Sequence, residues 1–414
     1  MVSHACEKLY SYESCDRHKL ATLDRRRVRQ KHRDYLEKVK DSFAENPKLF
    51  WRYHKSVRRH RVSNRPEIVY NGETAKTAAH KAELFNTYFS VFTSPRSSTN
   101  LEAVTRLPPL RTELQLSDIV ISVDEVTDCL KSLDTSKASG PDGIPSRLLK
   151  ECAGQIAPSL CDIFNHSLQS GRLPSEWKSA NVTPIHKKQQ KELAENYRPI
   201  SLLPIVSKVL ERCVYTNFYY HILHLITPYQ HGFLRNHSYV TQLLSVLHTI
   251  GKNLDKNTQT DIVYLDFAKA FDSVDHSILL QKLKCYGVTG NLLGWFADYL
   301  NNRRQRVVAD GVASRWAPVT SGVPQGSILG PVHFVIFIND IPEVTDGTSP
   351  ALFADDTKVN KDVRSVTDCE KLQQTLDKLD IWTQDNNITF NASKCKILPV
   401  TRKKDPITCP CHLG

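Results

Sequence analysis

The chain has 414 residues, 40% hydrophobic and 24% charged, which supports a sizeable packed core in two or three domains and excludes a wholly disordered or collagen-like chain. The formal charge of +11 favours a polyanionic partner, and it is concentrated: residues 1–66 hold 18 Lys and Arg against 8 Asp and Glu, leaving +1 for the other 348. No apolar run approaches the ~20 residues of a membrane span, so no membrane partner is expected. Met1–Lys8 lacks the apolar stretch of a secretory signal, and eleven scattered cysteines read as reduced intracellular thiols.

In chain order, Val28, Tyr35, Leu36, Val39 and Phe43 space out a charged helix with one thin apolar stripe. Arg25, Arg26 and Arg27 begin it. Beyond it, Trp51, Arg52, Lys55, Arg58 and Arg59 mix cations with rings, a pattern suited to phosphate contact and base stacking. These eight are the candidate RNA-binding residues of a basic helical N-terminal extension, residues 1–100, which a helix over about 75–92 and the linker Ser94–Asn100 close. The competing account is a solvated charged helix docked by its stripe.

The next part opens with a strand at Ile119-Val120-Ile121, a helix over 123–133, a rigid turn at Gly140-Pro141-Asp142-Gly143 and helices to about 170. A strand at 181–185, helices over about 202–225 and 239–254, a buried strand at 262–265 and helices to about 300 follow. Then come a hairpin over 303–317, a helix over 327–338, a second hairpin over 351–359, a helix over 369–382 and a last strand at 396–401. Strands and helices mix without βαβ regularity, which predicts an α+β fold with an antiparallel sheet.

Two places stand out chemically. The apolar strand Val263-Tyr264-Leu265 ends in Asp266, and Asp355-Asp356 sits between short apolar runs, as at a hairpin tip. A lone Asp-Asp is ordinarily a surface turn. Adjacent carboxylates repel, however, and a hard cation such as Mg²⁺ relieves them. Two such ions ~3.5–4 Å apart stabilise the attacking and leaving oxygens of a phosphoryl transfer. Placing Asp266 beside Asp355 on neighbouring strands would build that site. Three segments occur in order: Val263-Tyr264-Leu265-Asp266-Phe267-Ala268-Lys269-Ala270-Phe271-Asp272, Ser321-Gly322-Val323-Pro324-Gln325-Gly326, and Phe353-Ala354-Asp355-Asp356.

With these segments the chain resembles the reverse transcriptases of non-LTR (LINE-class) retrotransposons, the jockey and CR1-like groups in particular, from about Lys137 to Arg402. Asn46–Trp51 and Ala82–Asn86 resemble the stretch that precedes the polymerase there. The resemblance implies a right-hand polymerase fold: fingers and the start of the palm at 118–260, the palm at 261–402, and a palm–thumb junction cut short at 403–414. The palm sheet would be antiparallel and backed by helices. It implies an RNA-directed DNA polymerase that adds deoxynucleoside triphosphates to a DNA primer on an RNA template with two Mg²⁺ ions, within the nucleus and cytoplasmic ribonucleoprotein.

Carried over by position, Asp266 and Asp355 would bind both ions, helped by the Phe267 carbonyl, with Asp356 the third and weaker member. Phe271 would be the steric gate, a ring that leaves no space for a 2′-hydroxyl. Gln325 and Gly326 would face the incoming base and template. Arg198, in Asn196-Tyr197-Arg198-Pro199, and either Lys187 or Lys188 would contact the triphosphate. Lys394 matches the lysine proposed as general acid for pyrophosphate, a plain surface lysine being the alternative. Asp272 and Asp275 are expected to cap the following helix.

The segment Gln230-His231-Gly232-Phe233-Leu234-Arg235-Asn236-His237-Ser238 departs from the family pattern. Leu234 stands for an Arg, Asn236 for a Gly and His237 for an Arg, on the side that faces the template in relatives. Neither thumb nor endonuclease is expected in the chain, and Cys409-Pro410-Cys411-His412 is spaced too tightly for a zinc finger. The alternative function is a catalytically inactive remnant that only binds RNA. An RNA-dependent RNA polymerase would share the paired aspartates, but Phe271 and the Pro-Gln-Gly segment argue against it.

Overall fold

The computed structural model describes residues 66–91, 110–187 and 189–412, with four further positions (30, 33, 34 and 37) in the basic arm. The chain divides into two units, residues 1–65 and 66–414. In the first, the four described positions are helical and exposed. Gln30 Nε2 donates to Asp34 Oδ1 at 2.9 Å, the i,i+4 pairing of a solvated helix face. Arg25, Arg26, Arg27, Trp51, Arg52, Lys55, Arg58 and Arg59 lie outside the described residues, as do Lys188 and the linker Ser94–Asn100.

In the second unit, β1 (Ile68–Tyr70) and β2 (Glu73–Ala75) form a hairpin, and α1 (Ala78–Val91) follows. Asn71 and Gly72 close the hairpin at φ +47° and +80°, as a two-residue turn between twisted strands requires. Helices α2 (Val123–Lys131), α3 (Ser146–Glu151) and α4 (Ala153–Ser170) lead to strands β3 (Ser179–His186) and β4 (Tyr197–Leu202). Helices α5 (Ile205–Ile222) and α6 (Tyr239–Asp255), strand β5 (Gln259–Asp266), and helices α7 (His276–Cys285) and α8 (Gly290–Leu300) come next. The chain continues through β6 (Arg303–Ala309), β7 (Val312–Ala313), β8 (Ala317–Val319) and α9 (Gly330–Ile338). It closes with β9 (Ser349–Phe353), β10 (Asp356–Val363), α10 (Val366–Asp385) and β11 (Lys396–Val400).

The strands build two larger sheets. One is wholly antiparallel, in the order β11-β5-β10-β9. Its second strand, β5, carries the apolar run Ile262-Val263-Tyr264-Leu265 without alternation because both faces are covered there. Val263 and Leu265 join the main core, to which α2–α5 and α7–α10 contribute, while Ile262 and Tyr264 pack with Val246 of α6. The other sheet runs β4-β3-β6-β7 with β8 also on β6, and Phe85, Tyr88 and Phe89 of α1 pack on it with Val182, Tyr197 and Val307.

Four local expectations change. The second sheet is mixed, because β3 and β6 pair in parallel. Residues 119–121 form no strand: the Asn165 side chain takes the place of a strand partner, its Oδ1 accepting from Ile121 N at 2.9 Å and its Nδ2 donating to Ile121 O at 2.8 Å. Strand β4, absent from the expected elements, carries Pro199, which an edge strand tolerates. Finally, Cys369 and Cys409 are joined in a disulfide that ties the C-terminal segment to α10, so not every thiol is free.

Candidate active site

Register places the carboxylates. Strands β10 and β5 pair over eight residues, and the ladder sets Asp356 opposite Asp266. Asp356 also pairs with Phe353, so the β9–β10 turn is the two residues Ala354 and Asp355, with Ala354 at φ +53°. Asp355 therefore sits one residue beyond the Asp266–Asp356 pair. Because side chains alternate along a strand, a slip of one residue would carry Asp266 and Asp356 to the wrong faces.

A segment not assigned this role from sequence buttresses the turn. Gln230 is fully buried, and its Oε1 accepts from both Gly232 N (2.7 Å) and Ala354 N (3.0 Å). His231 N donates to Leu352 O and Leu352 N to Tyr229 O, at 2.9 and 3.0 Å. A Cβ at Gly232 would stand 2.4 Å from Ala354 N, so only glycine allows this approach. The departures in the same segment fit their places. Leu234 is buried, and Asn236 adopts φ +63°, a left-handed conformation that Asn tolerates better than most residues.

Charge converges here from both sheets. Lys394 Nζ lies 2.7 Å from Asp266 Oδ2. The Asp355 carboxyl is held above the usual range, first by desolvation and then by Asp356 and Asp266, with Arg198 opposing. Arg198 pairs with Ile185 across β3 and β4, and Lys187 N donates to Asn196 O just beyond. The Lys187 ammonium is pushed down by desolvation, then by Arg198 and Lys394, while Asp266 and Asp355 pull it back up. Three cations and three carboxylates thus share one field. A cleft runs from Tyr239 and Leu243 of α6 past Tyr264 to Asp266, Asp356 and Lys394.

The three carboxylates suit a hard divalent cation: oxygen donors at adjoining strand ends, one of them raised by desolvation and then by its like-charged neighbours. Among the described residues, no three acidic, His or Cys side chains converge closely enough to hold an ion as they stand; the Lys394 ammonium supplies countercharge at Asp266. At Phe267 the ladder bonds are made by its neighbours, with Ala268 N donating to Thr389 O and Asn391 N to Asp266 O.

The remaining predicted residues surround this group. Phe271 is half-buried, stacked on Phe334 with centroids 4.6 Å apart and edge-on to Phe233 at 6.0 Å. Gln325 O accepts from Ser201 N of β4 at 2.8 Å. Gly326 has φ +131°, and a Cβ there would come 2.5 Å from Ser201 O, so close packing on β4 is what demands glycine. The buried Glu211 holds the far end of this loop by accepting from Ile328 N and Leu329 N at 2.7 and 3.2 Å.

Asp275 caps α7 as expected, its Oδ1 accepting from Ser277 N and Ile278 N at 2.9 and 3.2 Å. Asp272 does not cap; its Oδ1 accepts from Gln325 Nε2 at 2.9 Å. Lys269, not singled out from the sequence, lies within the same field. Desolvation brings it down to about 8, with Lys187 and Lys394 adding to the fall and Asp272 opposing it, and it donates to the Tyr88 hydroxyl of α1.

The profile of the family described as reverse transcriptase (RNA-dependent DNA polymerase) matches residues 185–407, more than half of the chain. This chain belongs to the reverse transcriptase family. It is 31% identical over 78% of its length to the RNA-directed DNA polymerase from mobile element jockey of Drosophila melanogaster, of which it covers 37%. It is 30% identical over 88% of its length to the probable RNA-directed DNA polymerase from transposon BS and over 86% to that from transposon X-element, both of Drosophila melanogaster, covering 42% and 40% of them. This reverse transcriptase-family chain therefore spans about two fifths of the length of these curated relatives. The match takes in Lys187, Arg198, Asp266, Phe271, Gln325, Asp355 and Lys394.

Proposed function

We propose that the chain carries the polymerase centre of a non-LTR retrotransposon reverse transcriptase, extending a DNA 3′ end with deoxynucleoside triphosphates on an RNA template. One observation carries this: the β5–β10 register sets Asp356 opposite Asp266 and leaves Asp355 beside them at the turn, in the field of Arg198. In this account residues 118–260 are the fingers with the start of the palm, residues 261–402 the palm, and residues 1–100 an extension that grips RNA.

Asp266 and Asp355, with Asp356 and the Phe267 carbonyl, would hold Mg²⁺. Bound there, the ions supply positive charge to the attacking and leaving oxygens. Arg198 and Lys187 hold the triphosphate by charge-assisted bonds. Phe271 excludes a 2′-hydroxyl, and Gln325 orients the incoming nucleotide. As the primer 3′-oxygen bonds to the α-phosphorus, its proton passing to solvent, the bond to the bridging oxygen breaks and Lys394 gives its proton to the pyrophosphate.

Incubating the protein with a labelled DNA primer, an RNA template, dNTPs and Mg²⁺ tests this. Template-directed extension is expected. Folded protein that retains RNA but never extends the primer would overturn it and leave an RNA-binding remnant.

A further inference from the structure

The loop at 321–326 is fastened to the turn at 270–274 along its length. Val323 N donates to Phe271 O and Gly322 N to Val274 O, both at 2.8 Å, and Ser321 Oγ donates to Asp272 O at 3.1 Å. Gly322 lies so close that a Cβ there would stand 2.7 Å from Asp272 O. The backbone bonds fix where the loop runs, but they do not fix the Gln325 side chain. That is done by one contact, Gln325 Nε2 to Asp272 Oδ1.

The chemistry of this contact sets a polarity. An ionised carboxylate only accepts, so it selects the amide NH₂ of Gln325 and leaves Oε1 as the end for a substrate. An apolar residue in its place would fix neither end. Asp272 is only partly exposed. Desolvation lifts its carboxyl to about 6, with Gln325, Lys269 and Lys187 opposing the rise, so at pH 7–8 it is the acceptor that the geometry needs. It immediately follows Phe271, whose carbonyl anchors the same loop.

We infer that Asp272 is a positioning residue for nucleotide selection, orienting the Gln325 amide and, through the shared turn, fixing the Phe271 ring relative to it. This rests on the polymerase reading and adds to it a residue that was expected merely to cap a helix. The carboxylate touches no substrate; it acts through Gln325.

Steady-state single-nucleotide insertion by wild type, Asp272→Ala, Asp272→Asn, Gln325→Ala and the Asp272→Ala/Gln325→Ala double variant tests this. Losing a hydrogen bond to a charged group predicts that Asp272→Ala raises KM for the dNTP about 10-fold or more. Its kcat should change far less, and both mismatched and ribonucleotide insertion should rise. Gln325→Ala should do the same, and the double variant should be no worse than either single one, because both remove one contact. Asp272→Asn, which can still accept through Oδ1, should recover most of KM. Multiplying effects in the double variant would overturn the inference. So would an Asp272→Ala protein altered only in thermal stability, with KM and selectivity unchanged.

Absence of extension by wild type would sink the polymerase reading alone. The clamp would then be read from the Gln325 side-chain NH₂ signals by NMR. Resolved, slowly exchanging NH₂ protons in wild type that move to the free-amide position in Asp272→Ala support it, and the same signals in both proteins overturn it.

Discussion

The two larger sheets bring opposite charge to one place by different means. On the antiparallel sheet the acidic groups are held by register: eight paired residues between β5 and β10 decide that Asp356 faces Asp266, and Gln230 clamps the turn that carries Asp355. On the mixed sheet the cations are loosely held. Arg198 is an exposed residue of the edge strand β4, and Lys187 lies exposed just past the end of β3. The contrast matches the roles proposed for each. Ligands for a metal ion need fixed positions, whereas a triphosphate that arrives and leaves is better met by long side chains free to follow it.

Substitutions should separate the two sheets by the size and kind of their effects. The largest effect is expected on the antiparallel sheet. Asp355→Asn should lower extension ~10³-fold or more, since a neutral amide is a poor ligand for a hard cation. The fold should be retained, because the substitution is nearly isosteric, and circular dichroism would check that. Arg198→Ala should lower kcat/KM by roughly 10–100-fold, mainly through KM for the dNTP, as expected for a lost charge-assisted contact. An effect confined to kcat would move Arg198 out of the substrate-holding role and blur the contrast.

Phe271 lies between the sheets in function. Phe271→Val should raise the ratio of ribonucleotide to deoxyribonucleotide insertion by roughly 10-fold and cost ~1–3 kcal/mol of stability, because the ring stacks on Phe334. Competition between the two nucleotide types, with a melting curve alongside, measures both. A stability loss with unchanged sugar selectivity would reduce Phe271 to packing.

A smaller effect concerns pH. The folded pKa of Asp355 is raised, so the native state binds more protons there than the unfolded chain once the pH exceeds ~4. That contribution is present at low pH and is lost as pH rises through the raised value, when Asp355 ionises beside Asp356 and Asp266. A divalent cation should offset the resulting repulsion. Mg²⁺ should therefore raise the melting temperature more at pH 8 than at pH 5, by roughly 1–4 °C at ten times its Kd. The shift should vanish in Asp355→Asn, and differential scanning fluorimetry is sufficient to see it.

Much of the antiparallel sheet was legible because its signals are local. An apolar run ending in a carboxylate and a pair of aspartates between short strands announce β5, β9 and β10, and each appears within a few residues of its expected place. In the mixed sheet β3 and the strands over 303–317 were legible as well, but β4 and the order of pairing were not. Pro199 hides β4, and the parallel pairing of β3 with β6 joins residues 125 positions apart, such as Ser179 and Arg304, which no local pattern encodes. The same holds for the supporting residues. Asp272 looked like a helix cap because Asp before a helical run ordinarily is one; its partner Gln325 lies 53 residues away. Gln230 sits in a segment noted for its departures, and only the fold shows that it braces the β9–β10 turn.

Metal binding decides whether the ends of β5 and the β9–β10 turn form one cation site. Titrating Mn²⁺ as a paramagnetic stand-in for Mg²⁺ into wild type, Asp266→Asn and Asp355→Asn, and counting bound ions by electron paramagnetic resonance, reads the site without requiring activity. Wild type should bind Mn²⁺, and either substitution, from either strand, should weaken binding at least 10-fold. Equal binding by all three proteins would contradict it.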